Sequence, residues 1–209
     1  MTKIILDSLS FSYPDKKVID GLSLSLDGKM NVIMGESGGG KSTLLDIIAG
    51  LKKAGGKSEL VGAAQQPKIS YMMQDATLLP WLSAIDNVNL VLSDSKTTLD
   101  EARAWLTLVG LGEDGDASLL PHELSGGMKQ RVALARTLAY EADVYILDEP
   151  FRALNEELRA EMAQLVKRRA DDLGATVIVV THDPADAELL GADKVITFHG
   201  SPLKEYEVE

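Results

Sequence analysis

Cysteine is absent from the 209 residues, which excludes disulfides, thiolate metal sites and cysteine nucleophiles and fits a cytoplasmic protein. Positive charge is in deficit, with 21 Lys and Arg against 32 Asp and Glu and a net charge of −11. A nucleic-acid partner needs a clustered basic face, and the one short basic run is Lys167, Arg168 and Arg169, so no nucleic acid is expected. No apolar run approaches the length of a membrane span, and Met1 to Leu9 lacks the shape of a signal peptide. What is present is an ordinary globular composition, 45% apolar and 25% charged, long enough for one sizeable core with room for a small subdomain.

The stretch that organises the chain is GESGGGKS, Gly35 to Ser42. It follows an apolar run, Asn31 to Met34, and precedes TLLDIIAG, whose apolar spacing suits a helix. Strand, glycine loop and helix start in that order make a phosphate cradle. Glycines let backbone N–H groups converge on the anion, and the helix start adds its partial positive charge. In this pattern, GxxxxGK[ST], Lys41 reaches the β and γ phosphates and Ser42 offers its hydroxyl to Mg²⁺. A glycine-rich turn with an accidental GKS is the bland alternative, and the strand and helix on either side argue against it.

Ahead of this loop, Lys3 to Tyr13 and Val18 to Leu26 read as two strands joined by a turn at Pro14 and Asp15, a small antiparallel element. Tyr13 sits at that turn as a partly exposed aromatic. Beyond the P-loop helix, Ala54 to Gly56 breaks the pattern, and Ser58 to Val61 and Ile69 to Met73 read as short strands, the second ending at Gln74. Pro80 makes the following segment a loop leading into a helical region. Thr98 to Val109 is an expected helix, with Thr98 and Glu101 as a capping box and Gly110 and Gly112 as its stop. In LSGGMKQR, Leu124 to Arg131, Ser125 is a natural N-cap, and the two glycines of the first turn leave backbone N–H groups uncovered. Phosphate approach gives those glycines a reason; packing at the helix start is the structural alternative.

Val144 to Leu147 reads as a strand buried on both faces, ending in Asp148, Glu149 and Pro150. Ligands of open α/β sheets collect at the carboxyl ends of strands, which places two acids where Mg²⁺ and water belong. Side chains alternate along a strand, so the pair can take different tasks. Asn155 opens a helix to about Leu173, acidic in its first turn and basic near its end, which accounts for the basic run through the helix dipole. Thr176 to Thr181 is another buried strand, and Asp183 with Pro184 starts a helix. His182, between them, has no structural excuse of that kind. Lys194 to Phe198 forms a last strand, and the tail Lys204 to Glu209 is expected to fray.

GESGGGKST, Gln74, LSGGMKQR, YILDEP and His182, in that order, resemble the ATP-binding cassette (ABC) ATPases over nearly the whole chain, and LSGGMKQR is the specific element. The resemblance implies an α/β P-loop NTPase core with a mostly parallel sheet, an N-terminal antiparallel β element and an inserted α-helical subdomain. It implies one nucleotide-binding domain over 1–209, with 1–74 and 141–209 as core and 75–140 as helical subdomain. Gly35, Glu36, Ser37, Gly38, Gly39, Gly40, Lys41, Ser42 and Thr43 would hold the phosphates of ATP, and Tyr13 would stack on adenine. Mg²⁺ would be held through Ser42, Gln74 and Asp148. Glu149 would be the general base, His182 the γ-phosphate switch, and Gln74 the residue that senses Mg²⁺ and the transmembrane partner. The family's dimer is head to tail, so Ser125, Gly126 and Gly127 of one copy would close over ATP on the other.

One position departs from the family. Where an aspartate follows SAL or GAL, this chain has Arg152, Ala153, Leu154 and Asn155, and a negative charge at the dimer interface is lost. Leu78, Leu79, Pro80 and Trp81, then Asn87 and Val88, resemble cassettes of nitrate, sulfonate, taurine and thiamine-precursor importers, and Met128 fits that group. The expected protein is a transporter ATPase subunit at the cytoplasmic face of the cell membrane. It would work with separate permease subunits and, through them, an extracytoplasmic substrate-binding protein. With 209 residues, no C-terminal regulatory domain is expected. A soluble ABC ATPase acting on DNA or ribosomes remains an alternative, without the coiled-coil insertion, tandem cassettes or basic face it would carry. A small-molecule P-loop kinase is another, and it leaves LSGGMKQR unexplained.

Overall fold

The computed structural model describes residues 1–62, 66–92 and 99–209. Among these, β1 (Lys3–Tyr13), β2 (Lys16–Leu26) and β4 (Gly55–Val61) form an antiparallel sheet of order β2-β1-β4. The larger sheet contains β3 (Met30–Gly35), β5 (Ile69–Met72), β6 (Val144–Asp148), β7 (Thr176–Val180), β8 (Lys194–Phe198) and β9 (Tyr206–Val208). Its order is β5-β6-β7-β3-β8-β9, parallel from β5 to β8 with only β9 antiparallel. The α/β architecture expected from the motifs is therefore the one observed.

Alternation along the central strands decides what each face meets. Val144 and Ile146 of β6, and Ile178 and Val180 of β7, pack with Leu44, Leu45, Ile47 and Ile48 of α1 (Lys41–Ile48) and with the antiparallel sheet. Tyr145, Leu147, Val177 and Val179 point the other way. There they meet a core that includes α5 (Gly126–Ala139) and α6 (Glu156–Leu173), joined by Leu190 of α7 (Pro184–Leu190). Two apolar faces on one strand explain why β6 and β7 are buried at every position. The short helices α2 (Ala84–Asn89), α3 (Leu99–Leu108) and α4 (Asp114–Ala117) lie between β5 and α5 in the chain, and α2 and α3 pack on each other and on α5.

Local signals hold at most helix starts. Ser125 Oγ accepts from Met128 N at 3.2 Å, and Asn155 Oδ1 accepts from Leu158 N at 2.9 Å. Asp183 Oδ1 caps α7 through Ala185 N at 3.0 Å, with Pro184 at the first helical position. The capping box assigned to Thr98 lies outside the described residues. Asn87, fully buried, donates to the carbonyls of Leu79, Leu82 and Ser83 and accepts from Leu79 N, which shapes the loop around Pro80.

Two expectations are corrected. Ala54 to Gly56 does not wholly interrupt the sheet, because β4 begins at Gly55, paired with Ser10. Gly56, at φ 83°, lies so near the Ser8 carbonyl that a Cβ would stand 2.5 Å from its oxygen, so glycine here serves close strand approach. The tail is not frayed either. β9 pairs with β8, Tyr206 Oη donates to Ser23 O at 2.8 Å, and the Tyr206 ring meets Phe198 edge-on at 5.7 Å. Just before it, Leu203 N donates to Val18 O at 2.8 Å and its side chain is buried against the core beneath the glycine loop. The charges of the tail suggested solvent; its two aromatic and aliphatic anchors decided otherwise. Leu203→Ala should destabilise the protein by about 2–5 kcal/mol in urea unfolding, the range for a buried leucine, whereas a solvent-facing residue would leave the midpoint unchanged.

Candidate nucleotide site

The carboxyl ends of β3, β5, β6 and β7 open into one cleft of about 630 Å³. Its floor is the turn from β3 into α1. Gly38 and Gly40 there have φ of 73° and 109°, the left-handed region that glycine alone enters without strain. A Cβ on Gly40 would stand 2.3 Å from Val18 Cγ1, so the loop lies directly on β2. No side chain caps the start of α1 and no acid lies in its first turn, which leaves the positive end of the helix dipole uncompensated.

Lys41 is 8% exposed, and its Nζ donates to Gly35 O at 2.7 Å and Glu36 O at 2.8 Å. Burial lowers its pKa, while the carboxylates of Glu149 and Asp148 pull the other way. Gly39 N donates to Glu36 O at 3.3 Å and closes the loop from behind, so Gly35, Glu36 and Gly39 contribute backbone while Ser37, Gly38, Gly40, Ser42 and Thr43 line the cleft.

Asp148 continues the parity of Val144 and Ile146 and so turns toward α1, at 2% exposure. Burial raises its pKa, with the Ser42 hydroxyl hydrogen-bonded to it and Lys41 opposing. A cation at that carboxylate would restore its charged form. Among the described residues no three His, Asp or Glu side chains form a cage of their own. One buried carboxylate, one hydroxyl and the Gln74 amide in the same cleft therefore fit an ion that takes few protein ligands and completes its shell with phosphate and water, as Mg²⁺ does.

Glu149 has φ 52°, an uncommon conformation for a side chain of this size. Its N donates to Val180 O at 2.9 Å and its carbonyl accepts from Gln130 Nε2 at 2.8 Å. Both carboxylate oxygens lie 2.9 Å from His182 Nδ1. The Glu149 side chain is 13% exposed and that of His182 72%, so the pair reaches from the sheet end into open cleft. Behind His182, Asp183 N donates to Thr181 Oγ1 at 3.1 Å, the Thr181 hydroxyl bonds to buried Asp186, and Arg159 pairs with Asp183 and, at 3.6 Å, Asp186. Tyr13, 43% exposed, forms the rim; its Oη is 3.4 Å from Thr43 Oγ1 and its ring meets Phe11 edge-on at 5.1 Å.

Tyr13, Gln74, Asp148, Glu149 and His182 thus meet in one cleft with the glycine loop. Ser125, Gly126 and Gly127 are not in its lining: Ser125 and Gly126 are exposed, and a Cβ on Gly126 would meet nothing within 4 Å. Sequence reasoning missed Lys16, Val18, Arg152 and Gln130. Lys16 Nζ donates to Gly38 O at 3.3 Å, and Val18 and Arg152 line the cleft. Gln130 had a signal, since it is a polar residue on the inward stripe of α5 together with Ala133, Leu134 and Thr137, and a buried amide requires a partner.

A glycine loop at an uncapped helix start, a buried lysine and acids at the end of a nearby strand define a P-loop nucleotide-binding site. The family described as ABC transporter matches residues 19–152, and the chain belongs to that family. It is 40% identical over 201 residues to the aliphatic sulfonates import ATP-binding protein SsuB of Delftia acidovorans, covering 96% of this chain and 81% of that one. The protein of the same description from Escherichia coli (strain K12) is 41% identical over 200 residues, covering 93% and 76%. The fold matches a dimeric, post-hydrolysis structure of the ATP-binding cassette MJ0796 bound to ADP and Pi, with TM-score 0.82, 28% identity and coverage of 98% of this chain and 97% of that one.

Gln130 donates to the carbonyl of Glu149 and does not line the cleft. Gln130→Ala should lower the ATPase kcat about tenfold, the effect of one lost buried hydrogen bond on a positioned group, while KM for ATP changes less than twofold. A change confined to KM would show that Gln130 is not positioning the acid.

Proposed function

We propose that this ABC ATPase subunit powers uptake through a separate permease by closing two copies head to tail over ATP, with Glu149 as the general base. The supporting observation is the division of the motifs: Lys41, Ser42, Asp148, Glu149 and His182 share one cleft, while the start of α5 lies outside it and faces solvent. In a head-to-tail pair the uncapped start of α1 in one copy and the exposed start of α5 in the other would face a triphosphate from its two sides, each offering N–H groups. A kinase has no use for the second, and the charge of −11 does not suit the nucleic-acid alternative.

In the mechanism, the glycine loop and Lys41 neutralise and orient the β and γ phosphates, which is most of what phosphoryl transfer requires. Ser42, Asp148 and Gln74 would hold Mg²⁺, which supplies charge neutralisation across the phosphates. Glu149, fixed through Gln130 and Val180, accepts a proton from the attacking water. His182 meets Glu149 through Nδ1, which leaves Nε2 to meet a γ-phosphate oxygen. Tyr13 offers its face to adenine at the rim. Residues 75–140 act as a helical subdomain that carries α5 toward the partner copy.

The relatives named for sulfonate import support work at a membrane, and no helix among the described residues is long and apolar enough to cross one. On this reading the subunit docks at the cytoplasmic face of a permease served by an extracytoplasmic binding protein. Trp81, 71% exposed at the end of the loop after Gln74, is a contact for the permease. Cargo selection belongs to those partners.

Glu149→Gln should bind ATP with unchanged affinity while turnover falls about 10²- to 10⁴-fold, and ATP should then drive the variant into dimers on gel filtration. Undiminished hydrolysis would remove Glu149 from the role, and a monomer at saturating ATP would remove the shared site. Asn155→Asp should keep the cap, holding the unfolding free energy within about 0.5 kcal/mol, and should change dimer lifetime by restoring a charge at the interface. An unchanged lifetime assigns position 155 to capping alone.

A further inference from the structure

The turn that leaves β6 carries a cation that the mechanism above does not use. Arg152 lines the cleft together with Ser37, Gly38, Lys41, Glu149 and His182. Its backbone is fixed on both sides. Arg152 N donates to Glu149 O at 3.3 Å, Leu154 N donates to Phe151 O at 3.2 Å, and the Phe151 ring is buried at 1% exposure. Glu149 and Ala153, which bracket the turn, both hold left-handed conformations, at φ 52° and 64°. Such residues persist where surrounding contacts dictate them, and two of them within five positions mark a turn set to aim its side chains.

The cations already described have partners. Lys41 is bonded to two carbonyls and offset by Asp148 and Glu149, and Lys16 is bonded to Gly38 O. The Arg152 side chain is exposed and makes no hydrogen bond or ion pair among the described residues. Within the cleft, two carboxylates face three cationic side chains, and Arg152 is the one whose donors are uncommitted. A guanidinium presents a planar fork that matches two phosphate oxygens at once, and such charge-assisted bonds are about twice as strong as neutral ones. Its place on the turn directly after Glu149 sets it beside the base rather than at the Tyr13 rim.

We propose that Arg152 is a further phosphate-binding residue of its own cleft, gripping the terminal phosphoryl group of a nucleoside triphosphate and so distinguishing it from the diphosphate. This rests on the reading of the cleft as an ATP site. The group grips the phosphate that leaves, so its loss acts on triphosphate affinity and spares the diphosphate.

Binding of ATP and ADP is measured by calorimetry for Glu149→Gln, which prevents turnover, and for the same protein carrying Arg152→Ala, Arg152→Gln, Arg152→Lys or Lys41→Ala. Light scattering follows the oligomeric state of every variant through the titration, and losses are compared at matched state, so that a change in dimer closure is not read as a change in grip. Arg152→Ala and Arg152→Gln should each weaken ATP about tenfold and ADP less than twofold, and Arg152→Lys should restore only part of the loss, because an ammonium lacks the fork. Equal losses for ATP and ADP, or no loss for either, overturn the assignment of Arg152. Lys41→Ala separates the two levels: if it retains ATP, the nucleotide reading of the cleft fails, and if it loses ATP while Arg152→Ala does not, only the role of Arg152 falls.

Discussion

Lys41 is an ammonium group at 8% exposure, tied to the carbonyls of Gly35 and Glu36 and facing the carboxylates of Asp148 and Glu149. A charge so nearly removed from water is tolerable only when its neighbourhood supplies acceptors and opposite charge. Those neighbours come from different strands, so the arrangement requires β3 and β6 to end at the same level of one sheet. The parallel order β6-β7-β3 provides that level, and everything else in the cleft is arranged around it. Burial pushes the Lys41 pKa down and the Asp148 pKa up, each toward the uncharged form, and an anion beside one and a cation beside the other would reverse both shifts.

The division of labour between the two acids follows from strand geometry. Asp148 shares parity with Val144 and Ile146 and faces α1, where the Ser42 hydroxyl meets it. The left-handed turn at Glu149 then carries its carboxylate across to His182. Adjacent residues thus meet different groups, one buried beside the helix start and one reaching into the cleft. Gln130 ties the backbone of that turn to α5, whose first turn lies outside the cleft. A Cβ on Gly127 would stand 3.1 Å from Ala153 O, so the start of α5 and the turn after Glu149 touch within one chain. On the head-to-tail reading, what closes on a partner's nucleotide is bonded through α5 to the acid of its own site.

Much of the fold was legible before any coordinates. The glycine loop, the continuous apolar runs of β6 and β7 and the caps at Ser125, Asn155 and Asp183 are local patterns, each with a physical cause that acts within a few residues. The tail was not legible. Its charges suggested solvent, and only Tyr206 bonded to Ser23 O, with Leu203 set beneath the glycine loop, shows why it stays. The same holds for Gln130 and Arg152, whose partners and surroundings come from segments that only the folded chain brings near.

Sequence by itself determined the class of chemistry, because a phosphate cradle is built from consecutive backbone groups and its glycines cannot be moved apart. It determined the run of β3, glycine loop and α1 for the same reason, and the buried strands β6 and β7 through their continuous apolar runs. Tertiary structure decided which acid faces the helix start, which amide holds the Glu149 carbonyl, and that the LSGG turn lies outside the cleft of its own chain. Those outcomes depend on the parity of a strand at the sheet end and on contacts across the sheet, quantities that no run of neighbouring residues contains.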